Sequence, residues 1–419
     1  MNKHNINTTR AIFFLMSLIG ATAGVSAQSN LHTLKECIDF AMKNNLAIKA
    51  GNLSVDKAEN MQGATFDIEK TEFAIAQDPT SGGSPDNSIS LTQSIDFPTV
   101  YTARRNFLKA GTELERSNLT LIKNDITKSV TENYYLLLHA RERVKILRKQ
   151  DSICARFLFL ANAKYKEGAA SRLEKINAER LYNENRIALQ KELNAENNAL
   201  LALQRQLGSE ADIHPTETVL PVMNAPSAYT QPVFEQTPWG NVYSSKKNVS
   251  ERNLKLTRQG YMPNLSFTLK NQLVIKGFNP YNIQRDRFEK GNFMGFEVGV
   301  GIPIFFGATR AKAKAARNDM EIAEVELRDA ELAMQKEYSA ARAEYKRAAQ
   351  ALDYYKSEGM ASADETIRLS QLSYEKGEID YVEYIQNLRS SLEVHLQHAD
   401  AINDYNQAII MLNYLQGYK

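Results

Sequence analysis

Apolar and polar residues alternate one by one in four short stretches of the chain. Between Ile89 and Phe97, for example, the odd positions are mostly apolar and the even positions are Ser, Thr or Asp. A period of two is that of a β-strand with one apolar face. Only in the first stretch is the alternation interrupted, by Lys70 and Glu72. The pattern predicts strands at about 65–76, 88–97, 264–275 and 292–304, each with the length of a tilted membrane-spanning strand.

A long helical pattern follows each pair of strands. Both stretches lack proline and are rich in Ala, Leu, Glu, Lys, Arg and Gln, which have high helix propensity. Each has one natural break, at Gly168 and at Gly377. Helices of such length are stable when they pack side by side, as in a coiled coil. The predicted helices span about 99–164 and 170–207 in the first stretch, and about 308–373 and 379–417 in the second.

A shorter helical pattern precedes each pair of strands. Residues 31–62 begin with Thr33 and Glu36, the spacing of a capping box, in which the two side chains bond to each other's backbone N–H groups. A second pattern at about 239–259 leads directly into the third strand.

The two halves of the chain repeat one another. The turn motif Tyr-Lys-Glu-Gly that begins at Tyr165 returns as Tyr-Glu-Lys-Gly at Tyr374, 209 positions later, and Glu174 returns as Glu383 at the same displacement. A period this long indicates a duplicated half-molecule rather than a short solenoid repeat. The repeats occupy 28–207 and 239–419, and the five prolines of 208–238 predict an irregular equatorial linker between them.

Charge and the N-terminal pattern indicate where the protein works. The 51 basic residues nearly balance the 49 acidic ones, with no basic run that would indicate a nucleic-acid partner. Residues 1–27 have the pattern of a secretory signal peptide, and no later apolar run reaches the length of a membrane-spanning helix. An exported protein without membrane-spanning helices is therefore expected. Cys37 and Cys154 are predicted to be free, because the helix lengths hold them far apart.

Four membrane-length strands cannot close a barrel within one chain. An open sheet leaves unpaired backbone groups in lipid, at a cost of several kcal/mol each. Three copies would supply twelve strands, enough for a water-filled barrel, whereas two would give eight and a filled interior. The predicted class is an α+β membrane protein with a homotrimeric 12-stranded β-barrel, continued by a long coiled-coil-like α-helical barrel. A soluble β-domain on a coiled-coil stalk is the alternative.

The sequence offers little that would support catalysis. It contains no phosphate-binding glycine loop, no zinc-type Cys/His spacing and no nucleophile elbow. His395 and His398 are three residues apart on a predicted helix, and we expect them on a solvated surface rather than at a metal. No enzyme activity, cofactor or metal site is predicted.

Several short motifs together resemble a known family. The residues 34–45, the Tyr-x-x-Gly turns at Tyr165 and Tyr374, and the segments 261–265 and 301–305 are similar to those of TolC-like outer-membrane efflux factors. The resemblance spans about 31–417. It implies a homotrimer in the bacterial outer membrane with its helical part in the periplasm. It also implies passive conduction, with outer-membrane lipid, a periplasmic adaptor protein and an inner-membrane efflux pump as partners.

The resemblance also implies roles for residues at the helix tips. In the family these tips form the adaptor contact and a closing aperture ringed by acidic residues. Ser171 and Asp380 are more simply explained as helix caps, and both glutamates could be solvated surface residues. By position, the periplasmic aperture carries Glu174, Glu383 and Gln386, where Gln386 replaces a second acidic residue, and the adaptor contact carries Tyr165, Gly168, Ser171, Tyr374, Gly377 and Asp380.

Two other functional classes are alternatives to an export channel. A trimeric coiled-coil structural envelope protein or adhesin would keep the long helices but lack the duplicated halves. A diffusion porin would need many more strands and few helices. The exported substrate stays open among drugs, metal cations and proteins, although residues 97–101 resemble members that serve metal-cation pumps.

Overall fold

The computed structural model describes residues 32–78, 86–208, 213–225, 229–274 and 292–418. The predicted signal peptide, most of the two loops within the strand pairs and parts of the linker lie outside these residues. Among the described helices, none is both long and apolar enough to cross a membrane.

Four strands form one antiparallel sheet in chain order. They are β1 (Glu72–Asp78), β2 (Asp86–Asp96), β3 (Asn264–Val274) and β4 (Asn292–Gly301). The outer edges of β1 and β4 have no partner strand within the described part of the chain. β2 and β3, which belong to different repeats, form the longest pairing, from Asp86↔Val274 to Asp96↔Asn264.

The first strand begins later than its sequence pattern predicts. Residues 62–66 form a 3₁₀ turn, in which the Thr65 hydroxyl donates to the Gln62 carbonyl at 2.6 Å. Beyond it, the Gln93 side chain of β2 donates to the Glu69 carbonyl at 2.8 Å and accepts from the Thr71 hydroxyl at 2.6 Å. These side-chain bonds take the place of the backbone ladder, which starts only at Glu72. The predicted strand start at 65 is therefore wrong.

The two faces of the sheet differ in polarity. The register aligns Phe73, Leu91, Leu269 and Phe296 in one row across all four strands. Directly opposed residues share a face, so this row lies on the apolar face, where Phe296 is 75% exposed. The neighbouring row, Glu72, Thr92, Thr268 and Glu297, lies on a polar face. This face is otherwise built mainly of Ser, Thr, Gly and charged residues.

Eight α-helices lie in the described part of the chain. The longest, of 69 residues, is about 100 Å long at 1.5 Å per residue. The helices are α1 (Leu34–Asn44), α2 (Leu46–Met61), α3 (Pro98–Lys166), α4 (Arg172–Leu207), α5 (Pro238–Arg258), α6 (Gly307–Tyr354), α7 (Met360–Lys376) and α8 (Tyr381–Gln416).

Two predicted helices are each divided in the structure. The pattern at 31–62 breaks at Asn45, whose side-chain oxygen accepts from the Ala47 and Ile48 N–H groups and caps α2. The pattern at 308–373 is interrupted by a π-helical turn at Tyr355–Gly359. The capping box of Thr33 and Glu36 is confirmed.

The main hydrophobic core joins α1, α3 and α4 to the linker. Cys37, Tyr134 and Leu203 are fully or almost fully buried in it, together with Ile213 from the linker. Cys154 lies in a second cluster near the helix tips. Both cysteines are free, as predicted, and both are buried.

One buried amide fastens the linker to α8. Asn406 is completely buried, and its side chain donates to the Pro221 carbonyl at 2.8 Å and accepts from the Met223 N–H at 2.8 Å. These two bonds hold the linker backbone at the level of the main core.

Replacing this amide will loosen the linker. We expect Asn406→Ala to lower the free energy of unfolding by about 2–4 kcal/mol, because two backbone groups of the linker lose their partner. Chemical denaturation of the detergent-solubilised protein, followed by circular dichroism, measures the effect. The exposed Asn183→Ala is the control. Equal stability of the two variants would contradict the clamp.

Candidate channel mouth at the helix tips

The two repeated turns share one backbone geometry. Gly168 follows α3 with φ +74°, and Gly377 follows α7 with φ +77°. In each turn an N–H bonds back across the helix end, from Ala169 to the Lys164 carbonyl and from Glu378 to the Ser373 carbonyl, both at 2.8 Å. This is the Schellman motif, which requires a residue in the left-handed conformation. The prediction that both glycines permit tight turns is confirmed.

Each turn is followed by a capped helix. The Ser171 hydroxyl accepts from the Glu174 N–H at 3.2 Å, and the Asp380 carboxylate accepts from the Glu383 N–H at 2.8 Å. The helix-cap interpretation of Ser171 and Asp380 is confirmed. Both glutamates lie in the first turn, where the helix dipole favours an acidic side chain.

The three predicted aperture residues lie near the starts of two helices, α4 and α8. Glu174 is half-buried on α4, while Glu383 and Gln386 are exposed one helical turn apart on α8. The position of each glutamate in the first turn of a helix already gives it a structural role. A role in an acidic ring stays a prediction.

Aromatic packing joins the two repeats at the tips. Phe157 of α3 stacks on Tyr381 at 5.2 Å between ring centroids, and Tyr374 stacks on Tyr384 at 4.7 Å. Lys164 lies with its ammonium nitrogen 4.5 Å from the Tyr374 ring centroid. The first half is thus packed against the second around one aromatic cluster. Burial raises the pKa of Tyr381 to about 12.

The two turn tyrosines have different surroundings. Tyr374 belongs to the aromatic cluster, whereas Tyr165 is 39% exposed and contacts Lys175 at 5.4 Å from its ring centroid. Sequence reasoning singled out both tyrosines by their repetition but missed Phe157, Tyr381 and Tyr384. The spacing of Tyr381 and Tyr384 on one helical face was the available signal.

A groove between α4 and α8 adjoins Gln386. Arg389 forms an ion pair with Glu184, and Arg180 lies 3.7 Å from the same glutamate. Arg180 and Arg389 are also 209 positions apart, but the sequence does not reveal the partner that they share. The groove is lined by Asn177, Arg180, Leu181, Tyr381, Val382, Ile385, Gln386 and Arg389.

The two histidines of α8 are not simply solvated. His395 bonds to Asp364 at 3.2 Å, and His398 lies beside Tyr355 of the π-turn with a buried Nε2 that has no partner among the described residues. Burial lowers the pKa of His398, which favours its neutral form. The solvated surface expected for this pair is therefore wrong for His398. No cluster of three metal-binding side chains lies in the described part of the chain.

Replacing glycine by alanine should destabilise the protein less at the helix tips than at Gly208, which follows α4. A Cβ at Gly377 would meet no atom within 4 Å. Gly377→Ala should therefore lower the free energy of unfolding only by the strain of the left-handed conformation, about 1–2 kcal/mol. A Cβ at Gly208 would lie 3.0 Å from the Asn44 carbonyl oxygen, so Gly208→Ala, with φ +68°, should cost more.

Thermal unfolding followed by circular dichroism ranks the two variants. Gly377→Asn should recover part of the loss, because Asn tolerates the left-handed conformation better than Ala. An equal loss of stability in the two Ala variants would contradict the open space around Gly377.

Known proteins share this fold. Residues 247–417 match the family model "Outer membrane efflux protein". The chain is 22% identical over 402 residues to the cobalt-zinc-cadmium resistance protein CzcC of Cupriavidus metallidurans, covering 92% of this chain and 90% of CzcC.

Two solved structures illustrate the likeness. A membrane protein from Pseudomonas aeruginosa superposes with a TM-score of 0.77 at 17% identity, covering 92% of this chain and 93% of that one. The CmeC outer membrane channel of Campylobacter jejuni superposes with a TM-score of 0.73 at 15% identity, covering 92% and 85%.

The strands and long helices of this chain have the fold of solved outer membrane channels. The family match lies within the second of the two repeats. The predicted α+β fold, with four strands and long helices, is confirmed for the chain.

Proposed function

We propose that three copies of this chain form the exit duct of a tripartite efflux system. The observation that carries the proposal is the sheet, with two unpaired outer edges and one exposed apolar face in the described part of the chain. In lipid those edges need partners. Pairing β1 of one copy with β4 of the next satisfies both edges at once, and three copies close a barrel of twelve strands.

Exposed apolar residues on α6 support the assembly of several copies. Its alanine-rich stripe, Ala316, Ala323 and Ala330, is buried. Ile322 and Val325 are 54% and 65% exposed. A helix with a second apolar stripe has room for a further packing partner. A neighbouring copy, brought alongside by β1–β4 pairing, would cover this stripe.

The tips are the proposed docking site for a periplasmic adaptor. Leu173 and Val382, which follow the two caps, are 66% and 64% exposed, and Phe159 nearby is 72% exposed. Exposed apolar residues at the end of the helical part would suit a helical protein partner. The inner-membrane pump would supply the energy, and the duct would conduct passively.

Divalent metal cations are the proposed cargo. CzcC, which is similar to this chain along most of its length, is named for resistance to cobalt, zinc and cadmium. Carboxylates at the mouth, from Glu174 and Glu383, would favour cations over anions.

Assembly and conduction test the proposed duct directly. We expect native mass spectrometry in detergent to show three chains, and planar bilayers that contain the protein to conduct ions. A trimer without conductance would favour a structural envelope protein or adhesin. A monomer under conditions that keep the fold would exclude the shared barrel.

The acidic mouth has a separate test. We expect Glu383→Ala to lower the cation-to-anion permeability ratio in single-channel recordings, because it removes one carboxylate per copy from the constriction. Glu393→Ala on the same helix makes the same change of charge, about 15 Å away, and should leave the ratio closer to that of the unaltered channel. An unchanged ratio for Glu383→Ala would remove this residue from the constriction.

A further inference from the structure

Three helix ends beside the sheet carry basic residues and no acidic ones. Helix α3 reaches its first acidic residue only at Glu113, and α6 only at Asp319. The last seven residues of α5 also contain basic residues and no acidic ones. The basic residues are Arg104, Arg105 and Lys109 on α3, Arg252, Lys255 and Arg258 on α5, and Arg310, Lys312, Lys314 and Arg317 on α6.

This arrangement opposes the helix dipole at two of the three ends. Helices α3 and α6 begin at the sheet, and neither has an acidic residue in its first turn. At the tips the same chain follows the usual rule, with Glu174 and Glu383 in the first turns of α4 and α8. Helices α2, α5 and α7 also lack an acidic residue in the first turn, so it is the run of basic residues that distinguishes the helix ends at the sheet.

The basic residues divide between the two sides of the sheet. A groove on the polar side contains Arg104, which pairs with Asp96 at 3.0 Å, and Lys312. At about 100° per residue, Lys109 lies about 140° around α3 from Arg104. Arg310 and Lys314 each lie about 160° around α6 from Lys312. The second set therefore lies on the side of the apolar sheet face.

The outer set has no internal partner. It includes Arg258 at the end of α5, which does not line the groove. Lys109, Arg258, Arg310 and Lys314 are exposed, and none of them forms an ion pair with another described residue. Apolar residues stand beside them at the end of β4, where Phe305 is 91% exposed and Ile304 is 76% exposed. Aromatic and basic side chains together are typical of the boundary between a bilayer and water.

We propose that Lys109, Arg258, Arg310 and Lys314 form a basic collar that binds the anionic phospholipid headgroups of the periplasmic leaflet. The inference rests on the placement of the apolar sheet face in lipid. Headgroup phosphates at that boundary would supply the negative charge that the helix ends lack, and Phe305 would lie among the adjoining acyl chains.

A second copy of the chain fits these charges less well. Asp96 at this level already pairs with Arg104. Two further acidic residues, Asp67 and Glu69, precede β1 and so lie at one edge of the protomer. The collar residues are spread over α3, α5 and α6, and a neighbour's single acidic segment would not reach all three. A continuous anionic surface meets them all.

Lipid binding to the detergent-purified full-length protein tests the collar. Native mass spectrometry would follow retention of phosphatidylglycerol against phosphatidylethanolamine during a lipid titration. The collar variant combines Lys109→Gln, Arg258→Gln, Arg310→Gln and Lys314→Gln. We expect its affinity for phosphatidylglycerol to fall at least tenfold, because each basic residue near an anionic surface strengthens binding about fivefold. Phosphatidylethanolamine binding should change little.

Two matched variants control for charge and for folding. Arg148→Gln, Lys149→Gln, Lys336→Gln and Lys346→Gln remove the same charge from exposed positions more than about 40 Å along the helices from the sheet, and should retain the lipid preference. The exchange set Lys109→Arg, Arg258→Lys, Arg310→Lys and Lys314→Arg keeps the charge and should bind as the unaltered protein does. If the collar variant does not fold, Lys109→Gln with Lys314→Gln should still weaken binding about threefold or more.

Two outcomes would overturn the collar. One is an equal preference for phosphatidylglycerol in the collar and control variants. The other is dissociation of the collar variant into monomers whose lipid preference is unchanged, which would assign the charges to contacts between copies. Lipid binding is measured apart from conductance, so a protein that keeps its lipid preference but does not conduct would contradict the proposed duct alone.

Discussion

The four-stranded sheet imposes the constraint on which the rest of the molecule depends. Its outer edges leave backbone N–H and C=O groups unpaired in the described part of the chain, and one of its faces is apolar and exposed. In water, exposure of the apolar face is unfavourable. In lipid, the unpaired backbone groups at the edges are unfavourable. Assembly of several copies in a membrane would relieve both, which supports the proposed trimer.

The long helices lead away from the sheet and end in tips built from both repeats. The repeats share the turn glycines and the caps, which are decided by local backbone chemistry. They differ in packing, because Tyr374 joins the aromatic cluster with Phe157 while Tyr165 stays at the surface. Duplication thus produced two similar turns, and packing between the halves made them unlike. The charges show a second asymmetry, since carboxylates begin the helices at the tips and basic residues begin them at the sheet.

Much of the fold could be predicted because its signals are local and long. Strand alternation, proline-free helical runs and the repeated turns all depend on residues near one another in sequence. The predictions were less accurate where a polar side chain takes the place of a backbone hydrogen-bond partner. Gln93 replaces the backbone ladder before Glu72, and Asn45 ends one helix and caps the next. For the candidate site, the caps and glycines were predictable, whereas the aromatic cluster and the shared ion pairs of Glu184 join residues from both halves.

The sequence by itself determined the strands, the long helices and the repeated turns, because hydrophobic period and turn chemistry are encoded along the chain. Only the tertiary structure decided which residues meet. It brought Asn406 to the linker backbone and buried His398 beside the π-turn. It also set the register that places Phe73 and Phe296 on one face. These contacts join residues far apart in sequence, and their energies depend on packing that no local pattern contains.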